Sequence, residues 1–185
     1  NLQRREIEAD MKDAASIALE DVDVSNRFSL SMFEPTWHQG VIGILASRLK
    51  EQYYRPVIAF ADAGDGLLKG SGRSIQGLHL RDALDLVSKR HPDLILKFGG
   101  HAMAAGLTIE ADRFELFEQA FEAVAASLLS PADLQAVIEV DGALDANDMA
   151  WEFACTLEQH VWGQGFPQPL SVSYTHLRAH ETVLD

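Results

Sequence analysis

Residues 56–62, PVIAFAD, form a near-continuous apolar run closed by Pro56 on one side and by the turn Gly64-Asp65-Gly66 on the other. A strand with one wet face alternates apolar and polar residues, so a run without alternation reads as a strand buried on both faces. Such a strand belongs inside a covered sheet, and its neighbours in sequence supply the cover. RFSLSMF (27–33) alternates and puts Phe28, Leu30 and Met32 on one face of a strand. A helix is predicted from Gln39 to Tyr53, with Val41, Ile44, Leu45 and Leu49 on its inner stripe. After the turn, LLKGSGRSI is strand-like but interrupted by Gly70 and Gly72. A second helix over 79–90 turns Leu80, Ala83, Leu84 and Val87 inward. Residues 94–110 are apolar and glycine-punctuated and end as a strand. Residues 112–129 form an amphipathic helix carrying Phe114, Phe117, Phe121, Val124 and Leu128. The order β-α-β-β-α-β-α predicts an α/β fold, a mixed β-sheet with packed helices.

The flanks differ in character. Residues 1–24 have helical periodicity but no capping residue before the first periodic position, which reads as a cut inside a longer helix. SPADLQ (130–135) is a short linker, AVIEVDGAL a further strand and turn, DMAWEFACTLEQHV a helix, and WGQGFPQP a loop. The single cysteine, Cys155, excludes a disulfide framework within the chain, fits a reducing compartment, and reads as a small buried apolar side chain. No run reaches the ~18 apolar residues that a membrane-spanning helix needs.

Charge narrows the function classes. The chain carries a net −13, which disfavours a generic polyanion binder. Between Arg27 and Glu110, however, ten Lys and Arg face eight Asp and Glu, so the glycine-rich middle is mildly basic and the acidity lies in the flanks. A local anion site in the middle is consistent with that distribution.

Three constellations there could carry chemistry. In Lys69-Gly70-Ser71-Gly72-Arg73-Ser74 the two glycines allow positive φ and a backbone anion cradle. Ser71 adds a hydroxyl, Arg73 a planar fork and Lys69 a point charge. A solvated hairpin with a surface arginine is the competing reading. In Phe98-Gly99-Gly100-His101-Ala102-Met103-Ala104-Ala105-Gly106 the small residues around His101 imply close packing of a backbone or a ligand. His101 is then either a phosphate donor or acid–base group, or a satisfied histidine at a strand–helix join. In Trp37-His38-Gln39-Gly40-Val41-Ile42-Gly43 a βα turn offers helix-start amides to an anion, with Trp37 a packing anchor and His38 open to either role. His38, His79, His91 and His101 share no metal-ligand spacing. His176 and His180 have helical spacing but no supporting element, so no metal site is expected.

Taken together, WHQGVIGILASRLKEQYYRPVIAFA, KGSGRSIQGLHLRDAL and KFGGHAMAAGLTI, in this order and spacing, resemble the DHH-associated domain of the RecJ family. These are bacterial single-strand-specific 5′→3′ DNA exonucleases of the DHH phosphoesterase superfamily. The resemblance is concentrated in 27–129. It implies three segments: 1–24 as the end of an interdomain linker helix, 25–130 as the substrate-binding domain and 136–170 as the start of an oligonucleotide-binding (OB) domain; residues 171–185 depart from the family's pattern, polar and unpatterned, and read as a non-native tail. It implies phosphodiester hydrolysis by two Mn²⁺ or Mg²⁺ ions held upstream of this segment, with none bound here. By the same resemblance Ser71 and Arg73 hold the DNA's 5′ phosphate. Gly99, Gly100 and His101 face the substrate phosphate, His101 in a supporting catalytic role, and Lys69, Gly72 and His38 are further candidates. The implied partners are single-stranded DNA with a 5′ end and repair and recombination proteins such as single-strand-binding protein and helicases. The implied setting is a monomer in the bacterial cytoplasm, away from membranes. Related domains also occur in hydrolases of short oligonucleotides and cyclic dinucleotides, and a non-enzymatic nucleic-acid-binding module is the alternative of another class.

Overall fold

The computed structural model describes residues 24–137, 140–145, 149–163 and 168–171. The chain divides into two compact units, Asn1–Ala136 and Val137–Asp185. In the first, five strands form one sheet: β1 (Leu30–Phe33), β2 (Val57–Gly64), β3 (Leu67–Arg73), β4 (Lys97–Gly100) and β5 (Ala104–Glu110). Their order is β1-β2-β3-β5-β4. Only β1 and β2 are parallel, joined by the crossover helix α1 (Ile42–Tyr53). The other neighbours are antiparallel. Helices α2 (Leu80–Arg90) and α3 (Phe114–Leu128) complete the α/β fold.

Strand β2 is buried on both faces, as its composition demands. Val57, Ala59 and Ala61 pack with Leu30, Trp37, Ile42, Leu45 and Leu49 under α1. Ile58 and Phe60 pack on the opposite face with Leu84 of α2 and with Phe117 and Phe121 of α3. The rings of Phe60 and Phe117 meet edge to face at 5.3 Å, and those of Phe117 and Phe121 stack at 5.9 Å. The β2–β3 turn takes positive φ at Gly64, Asp65 and Gly66, as a tight hairpin requires.

Several local expectations change. Helix α1 begins at Ile42 rather than Gln39, and its buried stripe is Ile42, Leu45, Ala46 and Leu49, leaving Ile44 exposed. The late start follows from residues 37–41, which turn before the helix: Gly40 N–H donates to His38 Nδ1 and Val41 N–H to the His38 carbonyl. Phe28 packs with the α2/α3 core, not beside Leu30. The N–H groups of Phe28 and Ser29 donate to the Glu122 carboxylate at 2.7 and 2.8 Å, as does the Ser29 hydroxyl at 2.6 Å, so this stretch is tied to α3 before β1 begins. Arg55 gathers the carbonyls of Arg27, Tyr53, Tyr54 and Leu134. Burial lowers its pKa from the ordinary guanidinium range, and the charge of Glu122 opposes that shift.

Residues 94–110 hold two strands rather than one, so a β4–β5 hairpin adds a strand to the expected order. LLKGSGR is one uninterrupted strand. The described residues of the second unit hold a helix α4 (Trp151–Gln159) and a bridge between Gly142 and Ser171. No strand forms at the described residues of AVIEVDGAL, and Cys155 is half-buried rather than buried. The expected helix over 1–24, apart from Val24, and the tail beyond Ser171 lie outside the described residues. Among the described residues no helix is long and apolar enough to cross a membrane.

Candidate phosphate-binding face

Strand alternation decides which side chains reach the site. On β3, Leu68, Gly70 and Gly72 are buried, while Lys69 is exposed and Ser71 and Arg73 are half-buried on the other face. The registers extend this second face across the hairpin. Lys69 pairs with Thr108 and Thr108 with Lys97, Ser71 pairs with Gly106 and Gly106 with Gly99, and Arg73 pairs with Ala104. Three rows result: a lysine row, a serine–glycine row and an arginine row. Helix α1 packs on β2 and β3, and its Gly43 abuts the Ser71–Arg73 corner. A Cβ on Gly43 would stand 3.1 Å from both Arg73 Nη2 and Ser71 Oγ.

At that corner Arg73 Nη1 donates to the Gly72 carbonyl at 2.8 Å and to Ser71 Oγ at 3.3 Å. The fork is thereby oriented while Nη2 keeps donors in hand. Ser71, acting as acceptor here, retains its hydroxyl hydrogen. Among the described residues no carboxylate pairs with Arg73. An arginine held half-buried by a carbonyl and a hydroxyl, both neutral, is primed for an external anion.

His101 stands at the same end. It lies in the β4–β5 turn, not at a strand–helix join, and its N–H donates to the Ala104 carbonyl at 2.8 Å. The turn is locked from outside: Ser74 N–H donates to the Met103 carbonyl at 3.0 Å and Leu80 N–H to the Ala102 carbonyl at 2.8 Å. The start of α2 thus fixes the hairpin that carries the exposed His101 beside the Arg73 row. Gly100 is obligatory there. Its φ is +149°, and a Cβ would meet the Ala104 carbonyl oxygen at 2.4 Å.

The structure separates the sequence candidates. Ser71, Arg73, Gly99, Gly100 and His101 come together at one end of the sheet, with Lys69 on the same face. Gly72 faces the core, where a Cβ would lie 2.8 Å from Leu80 Cδ2. Gly70 and Gly72 therefore form no positive-φ cradle: they are glycines because β3 packs tightly. His38 is exposed, with Nδ1 used by the Gly40 N–H, and Trp37 is a buried anchor. Gly43 and Gly106 lie within the sequence constellations but are given no role of their own there, and Lys97 and Thr108 are missed as parts of this face. Lys97 carries a usable signal, sitting two residues before Gly99 and so on its face, but the β4–β5 register that aligns it with Lys69 has no local signature. Among the described residues no three His, Cys, Asp or Glu side chains cluster to hold a metal.

Residues 25–127, more than half of the chain, match the family of the DHHA1 domain. The chain belongs to the DHHA1 domain family. This DHHA1 chain is 53% identical over 174 residues to the single-stranded-DNA-specific exonuclease RecJ of Salmonella typhimurium, covering 92% of the chain and 30% of that protein. It is 32% identical to RecJ of Bacillus subtilis over 153 residues, 82% of the chain and 19% of that protein. Among solved structures, RecJ from Thermus thermophilus in complex with Mg²⁺ matches with a TM-score of 0.72 and 28% identity, over 92% of the chain and 25% of that structure. The DHHA1 chain thus spans about 30% of the length of the most similar of these relatives.

Proposed function

We propose that this chain is the substrate-binding portion of a single-stranded-DNA-specific 5′→3′ exonuclease acting in DNA repair and recombination, and that Ser71 and Arg73 receive the 5′-terminal phosphate. The observation that carries this is Arg73, oriented beside Ser71 and half-buried at the flank of α1, with no carboxylate partner among the described residues. In this reading the arginine fork takes two phosphate oxygens and the Ser71 hydroxyl donates to one. The exposed His101, on its locked hairpin, presents a ring nitrogen to the substrate phosphate, and Gly99 and Gly100 let the strand approach the backbone. A pocket that closes on a terminal phosphate accounts for polarity.

The described residues do not fit a divalent-metal site, so no step is routed through one. Mg²⁺ or Mn²⁺ and the attack on phosphorus belong, in this proposal, to the rest of the protein. The same reading makes 1–24 the end of a linker helix, 136–170 the start of an OB-type domain and 171–185 a non-native tail. It places a monomer in the bacterial cytoplasm with single-strand-binding protein and helicases as partners.

The test is fluorescence anisotropy of the 185-residue chain with single-stranded DNA carrying a 5′-phosphate or a 5′-hydroxyl, at low salt. The phosphorylated strand is expected to bind more tightly, with the preference lost in Arg73→Ala. Equal binding of both strands overturns the assignment of Ser71 and Arg73.

A further inference from the structure

The open face continues past the Ser71–Arg73 corner into a groove of about 350 Å³ whose walls include Lys69, Lys97, Gly99, Gly106 and Thr108. Two observations there have no account within the protein's own packing. The first is that Gly99 and Gly106, paired across β4 and β5, are both exposed and have no positive φ. A Cβ on Gly99 would meet nothing within 4 Å, and one on Gly106 only the Gly70 carbonyl oxygen at 3.7 Å. Glycine inside a strand costs roughly 0.5–1 kcal/mol against alanine, and neither sterics nor backbone conformation asks for it here. A bare strand floor of this kind is what close approach of a ligand requires. The second is that the row bordering this floor presents Lys69 and Lys97 on either side of Thr108. Both lysines are exposed, and neither is paired with a carboxylate among the described residues, in a chain of net charge −13.

We propose that Lys69 and Lys97, with Thr108 between them, form a second phosphate subsite that holds an internal phosphodiester of the same DNA strand, while its sugar and base cross the Gly99–Gly106 floor. This rests on the reading that Ser71 and Arg73 hold the 5′ phosphate. The geometry supports it: two strand residues advance about 7 Å, so the lysine row lies one such step from Ser71 and two from Arg73. That is the order of a nucleotide step. Lysine suits an internal linkage, because its point charge tolerates a range of phosphate orientations where the arginine fork selects one.

The experiment uses a 5′-phosphorylated oligothymidylate, its 5′-hydroxyl counterpart, and the phosphorylated strand with one neutral methylphosphonate linkage, placed in turn at the first and second internucleotide positions. Each is titrated by anisotropy against the unsubstituted chain, Lys97→Gln and the Lys69→Gln/Lys97→Gln double variant. With the unsubstituted chain, neutralising one of these linkages is expected to weaken binding about fivefold at 0.1 M salt, the worth of one released counterion contact. Lys97→Gln should weaken the all-phosphate strand by a similar factor and lower the salt slope by about 0.7, and the double variant should no longer distinguish that linkage. Variants that bind like the unsubstituted chain, or still distinguish the linkage, overturn the second subsite while a preserved 5′-phosphate preference keeps the first. Loss of any 5′-phosphate preference in the unsubstituted chain overturns the Ser71–Arg73 reading and this one with it.

Discussion

The two glycine pairs of the β3–β5–β4 region make opposite predictions for the same substitution. At Gly70 a Cβ would come within 2.7 Å of both Leu107 Cδ2 and Phe60 Cε1. Leu107 can rotate its methyl away, but Phe60 is fully buried and wedged edge-on against Phe114 and Phe117, so the ring cannot yield. Overpacking of this kind costs roughly 1–3 kcal/mol. Alanine recovers about 0.4–1 kcal/mol by restricting the unfolded chain, which leaves Gly70→Ala destabilised by about 1–2 kcal/mol. For a chain of this size that is a fall in Tm of roughly 3–6 °C. At Gly99 the added methyl meets nothing within 4 Å, so only the favourable part remains and Gly99→Ala should gain about 0.4–1 kcal/mol, a rise of roughly 1–3 °C. Differential scanning calorimetry measures both, and anisotropy with 5′-phosphorylated single-stranded DNA measures what the gain does to binding: Gly99→Ala should be more stable and bind less tightly. If the two variants shift Tm in the same direction, the division of the glycines into packing and ligand-facing pairs is wrong. If Gly99→Ala binds as tightly as the unsubstituted chain, the bare floor has no role in recognition.

Gly43→Ala should stabilise α1 by roughly 1 kcal/mol through helix propensity, yet reduce the 5′-phosphate preference, since its Cβ would press to 3.1 Å of Ser71 Oγ and Arg73 Nη2; an unchanged preference in paired titrations refutes the contact's importance. Glu122→Ala removes one carboxylate that accepts three hydrogen bonds from Phe28 and Ser29 and should cost about 2–4 kcal/mol in urea unfolding, with Glu122→Gln losing less because one acceptor oxygen remains. The hydroxyl of Ser130, then its N–H, donate to Asp133 and lower the pKa of that carboxyl. A group depressed in the folded state stabilises above its unfolded pKa and loses that contribution as pH falls through its folded pKa. The Ser130 amide proton, followed by NMR, should therefore titrate with a midpoint below that of an ordinary aspartate; a midpoint at or above it removes the pairing.

Much of the architecture is legible because burial leaves a periodic trace. The unalternating run 56–62 announces a doubly covered strand, and the stripe Leu80, Ala83, Leu84, Val87 reads residue for residue. The local pattern misleads where a long-range contact overrides it. Phe28 has the spacing of a β1 residue, but a carboxylate 94 positions away claims its N–H and turns it toward α3. Ile44 falls at the edge of the stripe that Ile42, Leu45, Ala46 and Leu49 bury. The His38 turn delays the start of α1, and Ile42 takes the buried place.

The site is legible as residues and not as a surface. Ser71, Arg73, Gly99, Gly100 and His101 all stand out in the sequence, but the glycines between them carry opposite meanings that composition cannot separate. Gly70 and Gly72 are required because Phe60, Leu107 and Leu80 fill their face of β3, and Gly100 because the hairpin bends there. Gly99 and Gly106 satisfy no such demand. Distinguishing the two kinds needs the register Ser71–Gly106–Gly99, which is set by how the β4–β5 hairpin is locked onto Ser74 and Leu80, far from any local signal. The same register turns Lys97 from an ordinary exposed lysine into the partner of Lys69. The face proposed to read a strand of phosphates is therefore a property of pairing between β3, β5 and β4, and substitutions that slip that pairing should abolish recognition while leaving every named side chain in place.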